Sequence, residues 1–212
     1  MPEVLVPSAR WPRWLENFMS SHGGTALTVV DGGMRGVAED GSTFTARLPF
    51  SRAYDGRPDD LADFADHTEQ PPVWGVLLVR KGGFAVARLE AGEVVASKVG
   101  QRHVQGRTKA GGQSQQRFAR RRANQARVAY EAAAEHAVAV LAGASEIVAG
   151  GDRGAVDEVL RDPRLRSVAV VGPWLAVPDP RRAVLEQALR DAQSLVVVVE
   201  NAGGAARLTD RG

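Results

Sequence analysis

The sequence predicts an α/β protein built on a mixed sheet, with a smaller β-containing module ahead of it. Three observations carry this. Residues 73–99 hold three short apolar segments separated by tight glycine turns, a long helical pattern follows, and strand-like and helix-like segments then alternate. Antiparallel hairpins feeding into β–α–β units put antiparallel and parallel strands in one sheet. The composition is that of a globular chain, with 212 residues, 44% hydrophobic and 25% charged. Cysteine is absent, which excludes disulfide scaffolds, thiol catalysis and cysteine-based zinc sites.

The elements follow in order. Trp11–His22 is amphipathic and reads as one or two helical turns, stopped by Gly23-Gly24. Thr25–Val30 is β-rich and runs into the turn Asp31-Gly32-Gly33, and residues 43–48 alternate as another strand. Residues 51–72 are acidic and proline-bearing and read as a loop or linker with at most one helical turn. The segments 73–79, 84–89 and 93–99 form a meander around Arg80-Lys81-Gly82-Gly83 and Glu90-Ala91-Gly92. A loop over 100–112 leads into a helix over 114–142. Its positions Ala119, Ala123, Ala126, Tyr130, Ala133, Ala137 and Leu141 make one buried stripe at spacings of three and four. Gly143 stops it. Strands at 146–149 and 167–171 enclose a helix at 152–160. Asp179-Pro180 opens another helix, and Leu195–Glu200 is the last strand of the series. The order resembles ribonuclease-H-like folds. The domain reading is a small N-terminal module and linker over 1–72, the main domain over 73–202 and a tail over 203–212.

The net charge of +2 conceals an uneven distribution. Residues 101–130 carry eight basic side chains and no acidic one, so the rest of the chain carries −6. Arg117, Arg120, Arg121, Asn124 and Arg127 share a helix face at i, i+3 and i+4 spacing. Arg102, Arg107, Lys109 and Arg122 complete the basic set. Like charges at that spacing repel, and a polyanion relieves the repulsion. Arginine suits phosphate because its fork is bidentate and permanently charged. A solvated helix face is the competing reading, and the single sign of the face favours nucleic acid.

Six Gly-Gly pairs occur, and most read as turns. Only Gly111-Gly112 lies in the basic segment, where Gln113 follows at the mouth of the long helix. Glycines let a backbone approach a ligand closely. The glutamine amide both donates and accepts, so it can orient a water, and helix-start N–H groups can stabilise an oxyanion.

Gly111-Gly112-Gln113-Ser114, followed by Arg117-Phe118-Ala119-Arg120 and Arg122, resembles the GGQ loop and helix of eukaryotic and archaeal peptide-chain release factors. The resemblance spans residues 73–202. The run Trp74-Gly75-Val76-Leu77-Leu78-Val79, the Gly82-Gly83-Phe84 turn and the Arg107-Thr108-Lys109 approach are closer still to the Vms-like release factors. The resemblance implies a release-factor middle domain of ribonuclease-H-like fold. It implies hydrolysis of the ester joining a nascent peptide to tRNA on stalled large ribosomal subunits, without codon reading, since nothing resembles a stop-codon-reading domain. The implied catalytic group is Gln113 with Gly111 and Gly112. Gln115 is the alternative, because Gly112-Gln113-Ser114-Gln115 satisfies the Gly-x-x-Gln spacing of the Vms-like proteins. The implied RNA contacts are Arg107, Lys109, Arg117, Arg120, Arg121, Arg122 and Arg127, against peptidyl-tRNA and the rRNA of the large subunit.

Other chemistries are weaker. His22, His67, His103 and His136 lack metal-ligand spacing, so no metal and no cofactor is expected. His103 is a candidate phosphate contact, and His136 reads as a polar-edge residue. Asp31, Asp152, Asp157 and Glu158 are the carboxylates a metal nuclease would draw on. Asp152 reads better as a helix cap, and Asp157 and Glu158 as an exposed helix face. Gly82-Gly83 and Gly150-Gly151 lack the Lys-Ser/Thr of a phosphate loop. Trp11, Trp14, Trp74 and Trp174 read as core. A non-catalytic ribosome- or RNA-binding factor and a nuclease cutting near the tRNA 3′ end are the alternative functions. The longest purely apolar runs fall far short of the ~20 residues a membrane span needs. A cytoplasmic monomer is the expectation.

Overall fold

The computed structural model describes residues 3–101 and 113–203, with the backbone alone over 113–126. The chain forms two compact units. One comprises Met1–Gln70 with Arg190–Gly212, and the other Pro71–Leu189.

The first unit is a five-stranded antiparallel sheet. Its strands are β1 (Glu3–Val6), β2 (Thr25–Val30), β3 (Gly33–Ala38), β4 (Thr43–Arg47) and β10 (Leu195–Glu200), in the order β1-β10-β4-β3-β2. The β2–β3 hairpin closes through Asp31 (φ 50°) and Gly32 (φ 71°), the two positive-φ positions of a turn that matches strand twist. Helix α1 (Trp11–His22) has a proline in its first turn and makes about three turns rather than one or two. It sets Trp11, Leu15 and Phe18 against Met34, Phe44, Ala46 and Val197 in one core. The acidic stretch is no linker. Phe64 of α2 (Leu61–Asp66) is fully buried in that core beside Tyr54. The Tyr54 hydroxyl donates to Asp63 Oδ2 at 2.9 Å and to the Arg57 carbonyl at 3.0 Å.

The second unit has the mixed sheet that the sequence predicts. Its strands are β5 (Val73–Arg80), β6 (Gly83–Glu90), β7 (Glu93–Gln101), β8 (Glu146–Gly151) and β9 (Ala169–Val170), in the order β7-β6-β5-β8-β9. The pairs β5–β6 and β6–β7 are antiparallel, and β5–β8 and β8–β9 are parallel. The apolar run of β5 is buried from Trp74 through Val79, as suits a strand enclosed on both faces. Helices α3 (Gln113–Val140) and α4 (Arg153–Leu160) carry Ala133, Ala137, Val156 and Val159, with Leu141 just past α3, into a core with Leu77, Val86 and Ile147.

Three elements depart from the expected pattern. Leu195–Glu200 does not extend the parallel series; β10 pairs antiparallel with β1 and β4 in the first unit. Its unbroken Leu-Val-Val-Val-Val reads the same in either sheet, so only pairing decides. Strand β9 is two residues long, and both are exposed. Helix α5 (Arg182–Asp191) starts after Asp179-Pro180 rather than at it. The Asp179 carboxylate lies 3.8 Å from Arg80 Nε.

Candidate functional site

The basic segment belongs to the second unit. β7 ends at Gln101, and α3 begins at Gln113. Thus Gln113 is the first described residue of α3, which runs over Gln113–Val140 with no acidic residue in its first turn. Gly111, Gly112, Arg107, Lys109, Arg102 and His103 lie outside the described residues. For Gln113, Gln115, Arg117, Arg120, Arg121 and Arg122 the backbone is helical and the side chains lie outside the description.

The described half of α3 shows how the helix is seated. Ala133, Ala134, Ala137 and Leu141 are buried and Tyr130 is partly buried, which matches the predicted stripe from residue 130 onward. Arg127 lies on the exposed side, where its Nη1 donates to Glu131 Oε1 at 2.7 Å. Its charge is therefore shared with a carboxylate one turn on, just past the acid-free segment. Arg164 grips the helix from outside. It donates to both oxygens of Glu135, at 2.6 and 3.2 Å, and to Asp162 Oδ2 at 2.7 Å. That grip holds the Asp162 carboxyl down at about 2, through the Arg164 side chain first and its backbone N–H second. It also lowers Glu135. At the far end Arg88 donates to the Ala142 carbonyl, and Gly143 (φ 89°) ends the helix.

Two cavities open beside this seat, at the carboxyl ends of parallel β5 and β8. One measures 240 Å³ and has mainly apolar walls that include Phe84, Ala129, Ala132 and Ala133. His136, expected as a polar-edge residue, is partly buried. Its ring stacks on Phe84 with centroids 5.3 Å apart. The other measures 450 Å³ and is lined by Lys81, Asp152, Gly154, Ala155 and Asp179. Arg80 and Tyr130 line both. Arg80 Nη1 donates to the Val177 carbonyl at 2.7 Å, and the guanidinium lies 3.9 Å from Asp152 and 3.8 Å from Asp179. Burial, then Asp152 and Glu158, raise the Tyr130 phenol above its ordinary value. Arg153 lies 4.2 Å over the Trp174 ring, whose Nε1 donates to the Gly151 carbonyl at 3.2 Å. Sequence reasoning did not single out these cavities. The available signal was Arg80-Lys81 directly after a buried strand, since ligands of open α/β sheets bind at carboxyl ends.

The carboxylates considered for a nuclease do not converge. Asp152 is the cap position of α4, but its side chain makes no capping bond; it lies near Arg80 instead. Glu158 pairs with Arg161. Among the described residues no three His, Cys, Asp or Glu gather to hold a metal ion, and no helix is long and apolar enough to cross a membrane.

Residues 72–198 match the family described as Actinobacteria/chloroflexi VLRF1 release factor. No curated protein matches the chain by sequence. Among solved structures, the archaeal translation termination factor aRF1 is similar at 14% identity and a TM-score of 0.37. That alignment covers 74% of this chain and 48% of the archaeal one, so the chain spans about half of that factor's length. The Vms1 mitochondrial localization core is similar at 10% identity and a TM-score of 0.42, covering 88% of this chain and 81% of that one. Pelota of Archaeoglobus fulgidus is similar at 10% identity and a TM-score of 0.24, covering 89% and 62%.

Proposed function

The chain belongs to the Actinobacteria/chloroflexi VLRF1 release factor family, and from that premise we propose that it is a codon-independent peptidyl-tRNA hydrolase that frees nascent peptides from stalled large ribosomal subunits. The observation that carries the proposal is the family match over 72–198, which encloses Gly111-Gly112-Gln113 and the arginine series behind it. In this reading the Gln113 amide holds a water against the ester carbonyl. Backbone N–H groups at the start of α3 meet the developing oxyanion, and the terminal ribose hydroxyl of the tRNA assists proton transfer. Arg107, Lys109, Arg117, Arg120, Arg121 and Arg122 contact RNA phosphates. Arg127 contributes less, because Glu131 shares its charge.

The test is peptide release from purified peptidyl-tRNA–large-subunit complexes. Gln113→Ala is expected to lower the release rate about 100- to 1,000-fold, the range for losing one oriented polar group at a reacting carbonyl. Binding to the subunit should be kept. Full activity in that variant, with Gln115→Ala inactive, moves the site by two residues. Sequencing the tRNA 3′ end separates the classes of activity. Ester hydrolysis leaves an intact CCA end, a nuclease shortens it, and a binding factor leaves peptidyl-tRNA uncleaved.

A further inference from the structure

The two cavities of the second unit differ in chemistry and meet at one pair of side chains. In the 240 Å³ recess the ring of Phe84, the methyls of Ala129, Ala132 and Ala133 and the backbones of Gly83 and Gly100 make a mainly apolar wall, with Gln101 and His136 as further polar lining. The 450 Å³ cleft beside it is charged. Arg80 and Tyr130 stand at the junction and line both. A ligand that fills the pair needs a flat apolar end joined to a hydroxyl-bearing, anionic end. We propose that this bipartite recess binds a ribonucleotide unit, with the base in the apolar part and the sugar-phosphate in the charged part. This goes beyond the peptide-release reading and does not depend on it.

The polar side supplies each partner such a ligand requires. Lys81 makes no ion pair among the described residues, so its ammonium is open to a phosphate. Arg80 is held by the Val177 carbonyl and flanked by Asp152 and Asp179. The two carboxylates offset its charge and can accept from ribose hydroxyls. The Tyr130 phenol stays protonated at neutral pH and can donate. The position fits as well. Both cavities lie at the carboxyl end of β5, which pairs in parallel with β8, and ligands of open α/β sheets bind at strand carboxyl ends. Lys81 is the one ammonium in the lining of the cleft, which suits a single phosphate. A free nucleotide and a residue of an RNA strand present the same chemistry here.

The experiment titrates the full chain with AMP, with adenosine and with a fluorescein-labelled oligoribonucleotide ending in CCA. Ala132 is exposed, so Ala132→Phe fills the recess from the surface without disturbing the core, and circular dichroism checks that the fold is kept. Saturable AMP binding is expected, at least tenfold weaker in Ala132→Phe. Lys81→Ala is expected to weaken AMP at least fivefold and to leave adenosine unchanged. AMP binding without oligonucleotide binding at this site assigns a free nucleotide. Oligonucleotide binding sensitive to Ala132→Phe assigns an RNA strand. Equal AMP affinity in wild type and Ala132→Phe, or no saturable binding of either probe, overturns the proposal. Gln113→Ala is expected to bind AMP as wild type does, so failure of the hydrolase reading and failure of this one are told apart.

Discussion

Gly75 of β5 packs tightly against Leu141, the residue just past α3. A Cβ there would stand 2.4 Å from Leu141 Cδ2 and 2.8 Å from the Ala87 carbonyl oxygen. Leu141 is almost fully buried, so neither neighbour has room to retreat. Gly75→Ala is expected to destabilise the protein by about 1–3 kcal/mol, the usual cost of overpacking. Leu141→Ala should cost about 2–5 kcal/mol through the opposite fault, a cavity. The double variant should cost less than the two together, because a smaller residue 141 relieves one of the two clashes. Urea unfolding midpoints of the three variants check this. Residues of this kind explain what the sequence hid. β3, with the sequence Gly-Met-Arg-Gly-Val-Ala, does not read as a strand. Its Gly36 is there because the Phe44 ring lies where a Cβ would go. Asp179 carried a helix-start signal, yet α5 starts at Arg182 and the Asp179 carboxylate lies beside Arg80.

Helix α3 was the most legible element. Its expected span, 114–142, differs from Gln113–Val140 by one or two residues, because a stripe of alanines ending in Leu141 and Gly143 is a strong local signal. Its brace was not legible, since Arg164 lies 29 residues from Glu135. The chemically decisive stretch was legible as a motif alone: Gly111 and Gly112 fall outside the described residues. The geometry gives the brace leverage. Gln113 is 22 residues from Glu135, about 33 Å at 1.5 Å per residue. A tilt of a few degrees at the brace therefore moves the helix start by roughly 2 Å. Arg164→Met is expected to lower peptide release more than it lowers stability, read by comparing release rate with thermal midpoint. Its effect on stability should depend on pH. Asp162 and Glu135 have lowered values, with Asp162 at about 2. Their contribution is therefore present above the ordinary carboxylate values of 3.8 and 4.5 and is lost as pH falls towards 2. The stability gap between wild type and Arg164→Met should close over that interval in pH-resolved unfolding.

At the scale of the whole molecule, the mixed sheet of the second unit was readable and the membership of β10 was not. Alternation of helix and strand implies parallel neighbours, but a strand apolar on both faces carries no mark of which sheet receives it. In the first unit β10 lies between β1 and β4 and pairs with both, and Leu195 and Val197 are fully buried. Ending the chain after residue 194 should therefore unfold the first unit and leave the second folded. Fluorescence of single-tryptophan variants would report it. Trp11 should lose its buried signal and Trp74 should keep it, because both are fully buried in the intact chain. The same placement sets a clock on synthesis. Residues 3–70 leave the translating ribosome first, yet their sheet lacks its inner strand until residue 200 has followed. At about 5–20 residues per second, that leaves roughly 7–26 s in which β1 has no partner and β4 keeps one edge bare. The first unit to be made is the last to close, and a chaperone or a pause in translation would act on it in that window.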